Sequence, residues 1–169
     1  MASFDKYAPR LKKWEGAFGD HPADTGGATM YGVTLTTFRM FFGEDKTVAD
    51  LKAMTEAQWR QIMKGYFWDK CWGDMITSQP VAEIIVDWCV NSGMGMLRKI
   101  QAIVGTKQDG IMGPKTLAAI NAAKPKLLHF YIKAAHAAYF EQLVRNRASN
   151  ITFYDGWLNR LADFQCKEK

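Results

Sequence analysis

The sequence predicts a mainly α fold with one small β-hairpin set after the first helix. Apolar residues recur at intervals of three and four along most of its 169 residues, with Thr, Gly and Pro where helices start and stop. The stretch from Gly16 to Gly32 is instead crowded with glycine, aspartate and proline. It runs into Thr29, Tyr31, Val33 and Thr34, residue types that suit short strands. No internal repeat, low-complexity segment or Pro/Gly/Ser-rich linker separates independent domains.

Taken in order, Phe4, Tyr7, Leu11 and Trp14 form the apolar stripe of a first helix, and Gly16 stops it. The segment Ala28 to Leu35 returns as the hairpin. Thr34 caps a short helix through Phe38, Phe41 and Phe42 that ends at Gly43, and Thr47 caps another containing Leu51. Thr55 and Gln58 make a capping box ahead of Trp59, Ile62, Met63, Tyr66 and Phe67, an amphipathic run that ends at Cys71-Trp72-Gly73. Pro80 suits the first turn of a helix from Val81 to Asn91. Its near-continuous apolar character marks it as the central buried element, and Gly93 and Gly95 break it. A helix from about Met96 to Val104, a turn at Asp109-Gly110 and a helix opened by Gly113-Pro114 follow. A long helix then runs from Pro125 to Arg147, where Ala134, Ala135, Ala137 and Ala138 allow close packing on the central helix. A last short one spans Gly156 to Phe164. The stretch Gly73 to Gln79 is the seam between two lobes, residues 1–75 and 76–169, of a single compact unit.

A chain of this length buries a real core without covalent staples. Its three cysteines, Cys71, Cys89 and Cys166, show neither a disulfide framework nor a zinc-binding spacing, so free thiols are the default. His129 and His136 stand seven apart on the long helix with no third ligand in view. They read as packing or surface residues, and no metal or other cofactor is expected. Charged residues at Asp5, Lys6, Arg10, Lys12 and Lys13 interrupt what would be the apolar core of a signal peptide, and no stretch is apolar enough to span a bilayer. The net charge of +5 and pI near 9.1 favour an anionic partner. The cationic residues are dispersed, however, which argues for a solvated surface over a nucleic-acid patch.

One carboxylate stands out. Glu15 falls at the carbonyl end of the first helix, where the dipole opposes negative charge by roughly 0.3–1 kcal/mol. Its aromatic neighbours Trp14 and Phe18 further disfavour ionisation. Both effects favour the protonated form that a general acid requires. Asp20 and Asp24 follow in the Gly-rich loop, and Asp24 and Thr29 are placed to face Glu15. The plain alternative is a surface turn carrying one solvated glutamate.

The residues resemble the glycoside hydrolase family 108 N-acetylmuramidases, phage-type lysozyme-like proteins that include secretion activators. That family opens with Glu-Gly-Gly-Tyr, then a turn with Asp and Pro, then Asp-x-Gly-Gly-x-Thr-x-x-Gly-Ile/Val. Here the chain reads Glu15-Gly16-Ala17-Phe18, Asp20-His21-Pro22, and Asp24-Thr25-Gly26-Gly27-Ala28-Thr29-Met30-Tyr31-Gly32-Val33. The blocks Phe67-Trp68-Asp69 and Trp72-Gly73-Asp74 resemble a further family motif. Asp87 with Val90-Asn91-Ser92-Gly93, the run Asp109 to Thr116, and Gly156-Trp157-Leu158-Asn159-Arg160 resemble its companion peptidoglycan-binding region. Ala17, Phe18 and His21 depart from the usual pattern.

The resemblance implies a lysozyme-like helical fold and cleavage of the β-1,4 bond between N-acetylmuramic acid and N-acetylglucosamine in peptidoglycan. Glu15 is then the general acid. Asp24 stabilises the developing positive charge or acts as base on a water, which Thr29 holds. Asp20, Tyr31 and Asn91 are substrate-binding candidates, although Asn91 equally suits the end of the central helix. The expected partner is the glycan strand, without nucleic acid or stable membrane insertion, and the expected state is a monomer. The protein would be made in the cytoplasm without a cleavable signal and act in the periplasm or envelope after export or holin-type release. The competing reading is a non-catalytic wall-binding protein that promotes secretion or envelope remodelling.

Overall fold

The computed structural model describes residues 1–16 and 28–167. The described chain is mainly helical with one antiparallel hairpin after the first helix, as its sequence leads one to expect. It resolves into two units: Phe4–Asp69, and Met1–Ser3 together with the chain from Lys70 onward.

The first unit begins with α1 (Phe4–Trp14), which buries Phe4, Tyr7, Ala8 and Leu11 on one face. Pro9 lies inside this helix, where it removes one backbone donor, and it sits on the exposed side. Strands β1 (Thr29–Met30) and β2 (Val33–Thr34) pair Thr29 with Thr34 and Met30 with Val33. The turn between them has positive φ at both residues, 46° at Tyr31 and 75° at Gly32, the twist that suits a two-residue hairpin. Thr34 then caps α2 (Leu35–Phe42) by accepting from the Thr37 N–H. Thr47 and Thr55 open α3 (Val48–Lys52) and α4 (Glu56–Ile62), each through a full capping box. The amphipathic run past α4 does not stay α-helical. It widens to a π-helical segment, Met63–Trp68, closed by Asp69 N–H donating to the Lys64 carbonyl at 2.8 Å. That widening brings Trp68 into the core, stacked on Tyr7 with centroids 5.9 Å apart and edge-on to Phe4 at the same distance.

In the second unit, Ala2 N–H donates to the Ile76 carbonyl at 2.8 Å and Ser3 N–H to Gln79 Oε1 at 2.7 Å, so the first three residues are tied beside the start of α5 (Gln79–Ser92). Ser78 caps that helix and Pro80 lies in its first turn. Every residue from Val81 to Cys89 is buried, which makes α5 the central element. Around it come α6 (Leu97–Ile103), α7 (Pro114–Ala122) and α8 (Pro125–Asn146). The Asp109-Gly110 turn is built on the buried Gln101. Its amide donates to Asp109 Oδ1 at 2.8 Å and to the Ile111 carbonyl at 3.0 Å, while its Oε1 accepts from Gly110 N–H at 2.8 Å. The last helix, α9 (Ile151–Asp163), starts earlier than Gly156, which lies in its interior. An interior glycine costs about 1 kcal/mol against alanine. Packing of α9 on α8, with Trp157 stacked on Phe140 at 5.1 Å, outweighs that cost.

Candidate functional site

Glu15 continues the hydrogen bonding of α1, its N–H donating to the Leu11 carbonyl at 3.0 Å, so its half-buried side chain leaves from the carbonyl end of the helix. The carboxylate lies against the backbone of Gly32 in the hairpin turn. A Cβ at position 32 would stand 2.0 Å from Glu15 Oε2 and 2.7 Å from its Cδ. Gly32 therefore meets two requirements, a positive φ and a bare α-carbon.

The turn is held from below. Trp59, fully buried in α4, donates its indole N–H to the Tyr31 carbonyl at 3.0 Å. A non-glycine residue at positive φ is strained, and strain of this kind persists only where surroundings over-determine it. Here the indole hydrogen bond and the ring of Tyr31, 5.8 Å below Lys12 Nζ, supply that support. Beside the turn lies a groove of about 460 Å³ lined by Ala8, Pro9, Lys12, Lys13, Tyr31, Glu56, Trp59 and Arg60. Its charges are paired: Lys12 Nζ lies 2.6 Å from Glu56 and Arg60 pairs with Asp5. The Lys12 ammonium, hydrogen-bonded to Glu56, holds that carboxyl below the usual range.

Of the residues singled out in the sequence, the structure thus gathers Glu15, Thr29 and Tyr31 in one unit, with Thr29 half-buried in β1 and Tyr31 half-buried in the turn. Asn91 belongs to the other unit, in the last turn of α5, where its Oδ1 accepts from Ser92 Oγ at 3.2 Å. Asp20 and Asp24 lie outside the described residues, as do Ala17, Phe18 and His21. Among the described residues no three His, Cys, Asp or Glu side chains converge as metal ligands. The supporting roles of Gly32 and Trp59 are additions from the structure. The only sequence signal for the first was a glycine following Tyr31 between two strand-like pairs.

A model of the family described as Glycosyl hydrolase 108 matches residues 8–93. The chain belongs to glycosyl hydrolase family 108. A second model, described as Predicted Peptidoglycan domain, matches residues 95–162 of this family 108 protein. SagA from Brucella abortus is similar in structure, with a TM-score of 0.83 and 31% sequence identity over 95% of this chain and 90% of that one. No curated protein matches the chain. The function of this family 108 member is accordingly tied to peptidoglycan and to the cell envelope. Among the described residues no helix is long and apolar enough to cross a membrane.

Proposed function

We propose that the chain is an N-acetylmuramidase that cleaves the β-1,4 bond between N-acetylmuramic acid and N-acetylglucosamine, with Glu15 as its general acid. The observation that supports this reading is the seating of Glu15 at the carbonyl end of α1 against the bare backbone of Gly32, in a family 108 chain. The carbonyl end of a helix disfavours negative charge, which favours an acid that keeps its proton until the glycosidic oxygen takes it. As that bond breaks, positive charge develops on the muramic acid ring. Asp24 stabilises it or takes a proton from the attacking water, and Thr29 holds that water. Asp20, Tyr31 and Asn91 contact the glycan. The protein acts as a monomer on the wall after export or holin-type release.

The test is clearing of purified peptidoglycan and release of reducing ends, comparing the wild type with Glu15→Gln. General-acid catalysis contributes about 10²–10⁴-fold. The expected result is muramic-acid reducing ends from the wild type and a loss of at least about 100-fold in the variant. Equal activity in both would mean that another group is the acid. Tight adsorption to the wall by a folded wild type that releases no reducing ends would favour the wall-binding, secretion-promoting protein instead.

A further inference from the structure

Two cysteines that are far apart in sequence meet in the core of the second unit. Cys71 follows the π-helical segment, Cys89 lies in α5, and both are fully buried. Their side chains are hydrogen-bonded to one another. The third cysteine, Cys166, lies near the end of the chain and is only partly covered. A chain that acts on peptidoglycan works outside the cytoplasm, where disulfides form and persist.

We infer that Cys71 and Cys89 are a disulfide-forming site, closed by an external disulfide oxidant as the chain folds in the envelope. The inference rests on the envelope location and not on the muramidase reading. Hydrogen-bonded thiols need only side-chain rotation to approach the bonding distance of about 2.05 Å, with little backbone movement. The chemistry balances as two exchanges. One cysteine thiolate attacks a sulfur of the oxidant, a small-molecule or protein disulfide, and expels one thiol. The second cysteine thiolate then attacks the mixed disulfide and expels the other. Two protein thiols are oxidised, one external disulfide is reduced to two thiols, and the two protons pass to those leaving groups.

Burial sets when this happens. In the folded chain neither sulfur meets solvent. The hydrogen bond to Cys71, burial, and the Asp87 carboxylate together raise the Cys89 thiol well above its ordinary range, so little of the reactive thiolate exists there. Exchange therefore belongs to the opening or folding chain, and the folded reduced protein resists oxidation. Once made, the bond is protected by the same burial. It joins the segment entering the unit to α5, closing a loop between positions 71 and 89. A loop of that size gives a rise in melting temperature of roughly 5–10 °C.

The experiment refolds the full chain from reducing denaturant into an oxidising glutathione mixture, then counts free thiols in denaturant and maps the linked peptides. The expected count falls from three to one, with Cys71 joined to Cys89, and the linked protein melts above its reduced form. Cys166→Ser should go from two thiols to none, and neither Cys89→Ser nor Cys89→Ala should form a bond within the chain. Three thiols remaining after refolding, a bond that involves Cys166, or a linked protein that melts at or below the reduced one would overturn the inference. None of these readouts depends on glycan cleavage, so the failure of either proposal leaves the other standing.

Discussion

Gly32 is where the hairpin and Glu15 meet, and its replacement separates the shape of the site from its chemistry. An L-residue at φ 75° costs about 1–3 kcal/mol, and the added methyl would overlap the carboxylate of Glu15. Gly32→Ala should therefore lower the melting temperature by a few degrees. It should also cut reducing-end release by at least about tenfold, because a displacement near 1 Å at a reacting group costs up to about 10² in rate. Wild-type activity in Gly32→Ala, read beside an unchanged circular dichroism spectrum, would show that the carboxylate does not need its seat. Glu15 was legible in the sequence because its placement is local: an apolar stripe, a glycine stop and a helix dipole act within one turn. Its contact with Gly32 was not, since it depends on how a hairpin folds back across seventeen positions and on the handedness of the turn. Tyr31 at positive φ was equally hidden, because nothing beside it in sequence announces that Trp59 will hold its carbonyl.

Among the elements, α5 and α9 are joined by a buried ion pair. Arg160 lies 3.1–3.2 Å from Asp87 through Nε and 2.7 Å through a terminal nitrogen, with side chains 10% and 2% exposed. Removing one partner of such a pair strands the other charge, at a cost of about 3–5 kcal/mol. Arg160→Met should be destabilised by that order in a denaturant titration, and adding Asp87→Leu should recover much of the loss. Next to this pair the His136 ring of α8 stacks on Trp88 of α5 at 4.5 Å and packs against Phe140. Among the described residues neither of its nitrogens has a hydrogen-bond partner. Burial, and secondarily the Arg160 cation, depress it from 6.5 to about 3. The unfolded chain binds this proton near pH 6.5 and the folded chain does not, so the folded state loses stability as pH falls from about 6.5 toward 3, by up to about 4–5 kcal/mol. Melting temperatures measured from pH 7 down to pH 4 should drop less in His136→Phe than in the wild type, and parallel curves would exclude His136 as the cause. The caps at Thr34, Thr47 and Thr55 could be read from sequence because each bonds three residues ahead. The π-helical segment and the upstream start of α9 could not, because packing of Trp68 and Trp157 decides them against local preference.

At the scale of the whole molecule, similarity and packing divide the chain at different places. The family 108 match runs through α5 to residue 93, whereas α5 is the buried centre of the second unit. Sequence similarity follows contiguous stretches, and packing follows buried surface, so the two need not agree. The stretch 95–162 carries ten Lys and Arg against three Asp and Glu, a net +7, in a chain whose total is +5. The positive charge is thus concentrated in the part matched as a peptidoglycan domain, in keeping with an anionic wall polymer as its partner. The tie between Ser3 and Gln79 spans 76 positions, and this bears on the order of events in folding. Closing so long a loop directly would be slow and entropically costly. The first unit begins at Phe4 and ends at Asp69, and its two ends are already together, with the Phe4 and Trp68 rings 5.9 Å apart. Once that unit has formed, a detour of more than sixty residues is reduced to a short bridge. The first three residues then wait close to their place until the chain beyond Lys70 emerges from the ribosome to receive them.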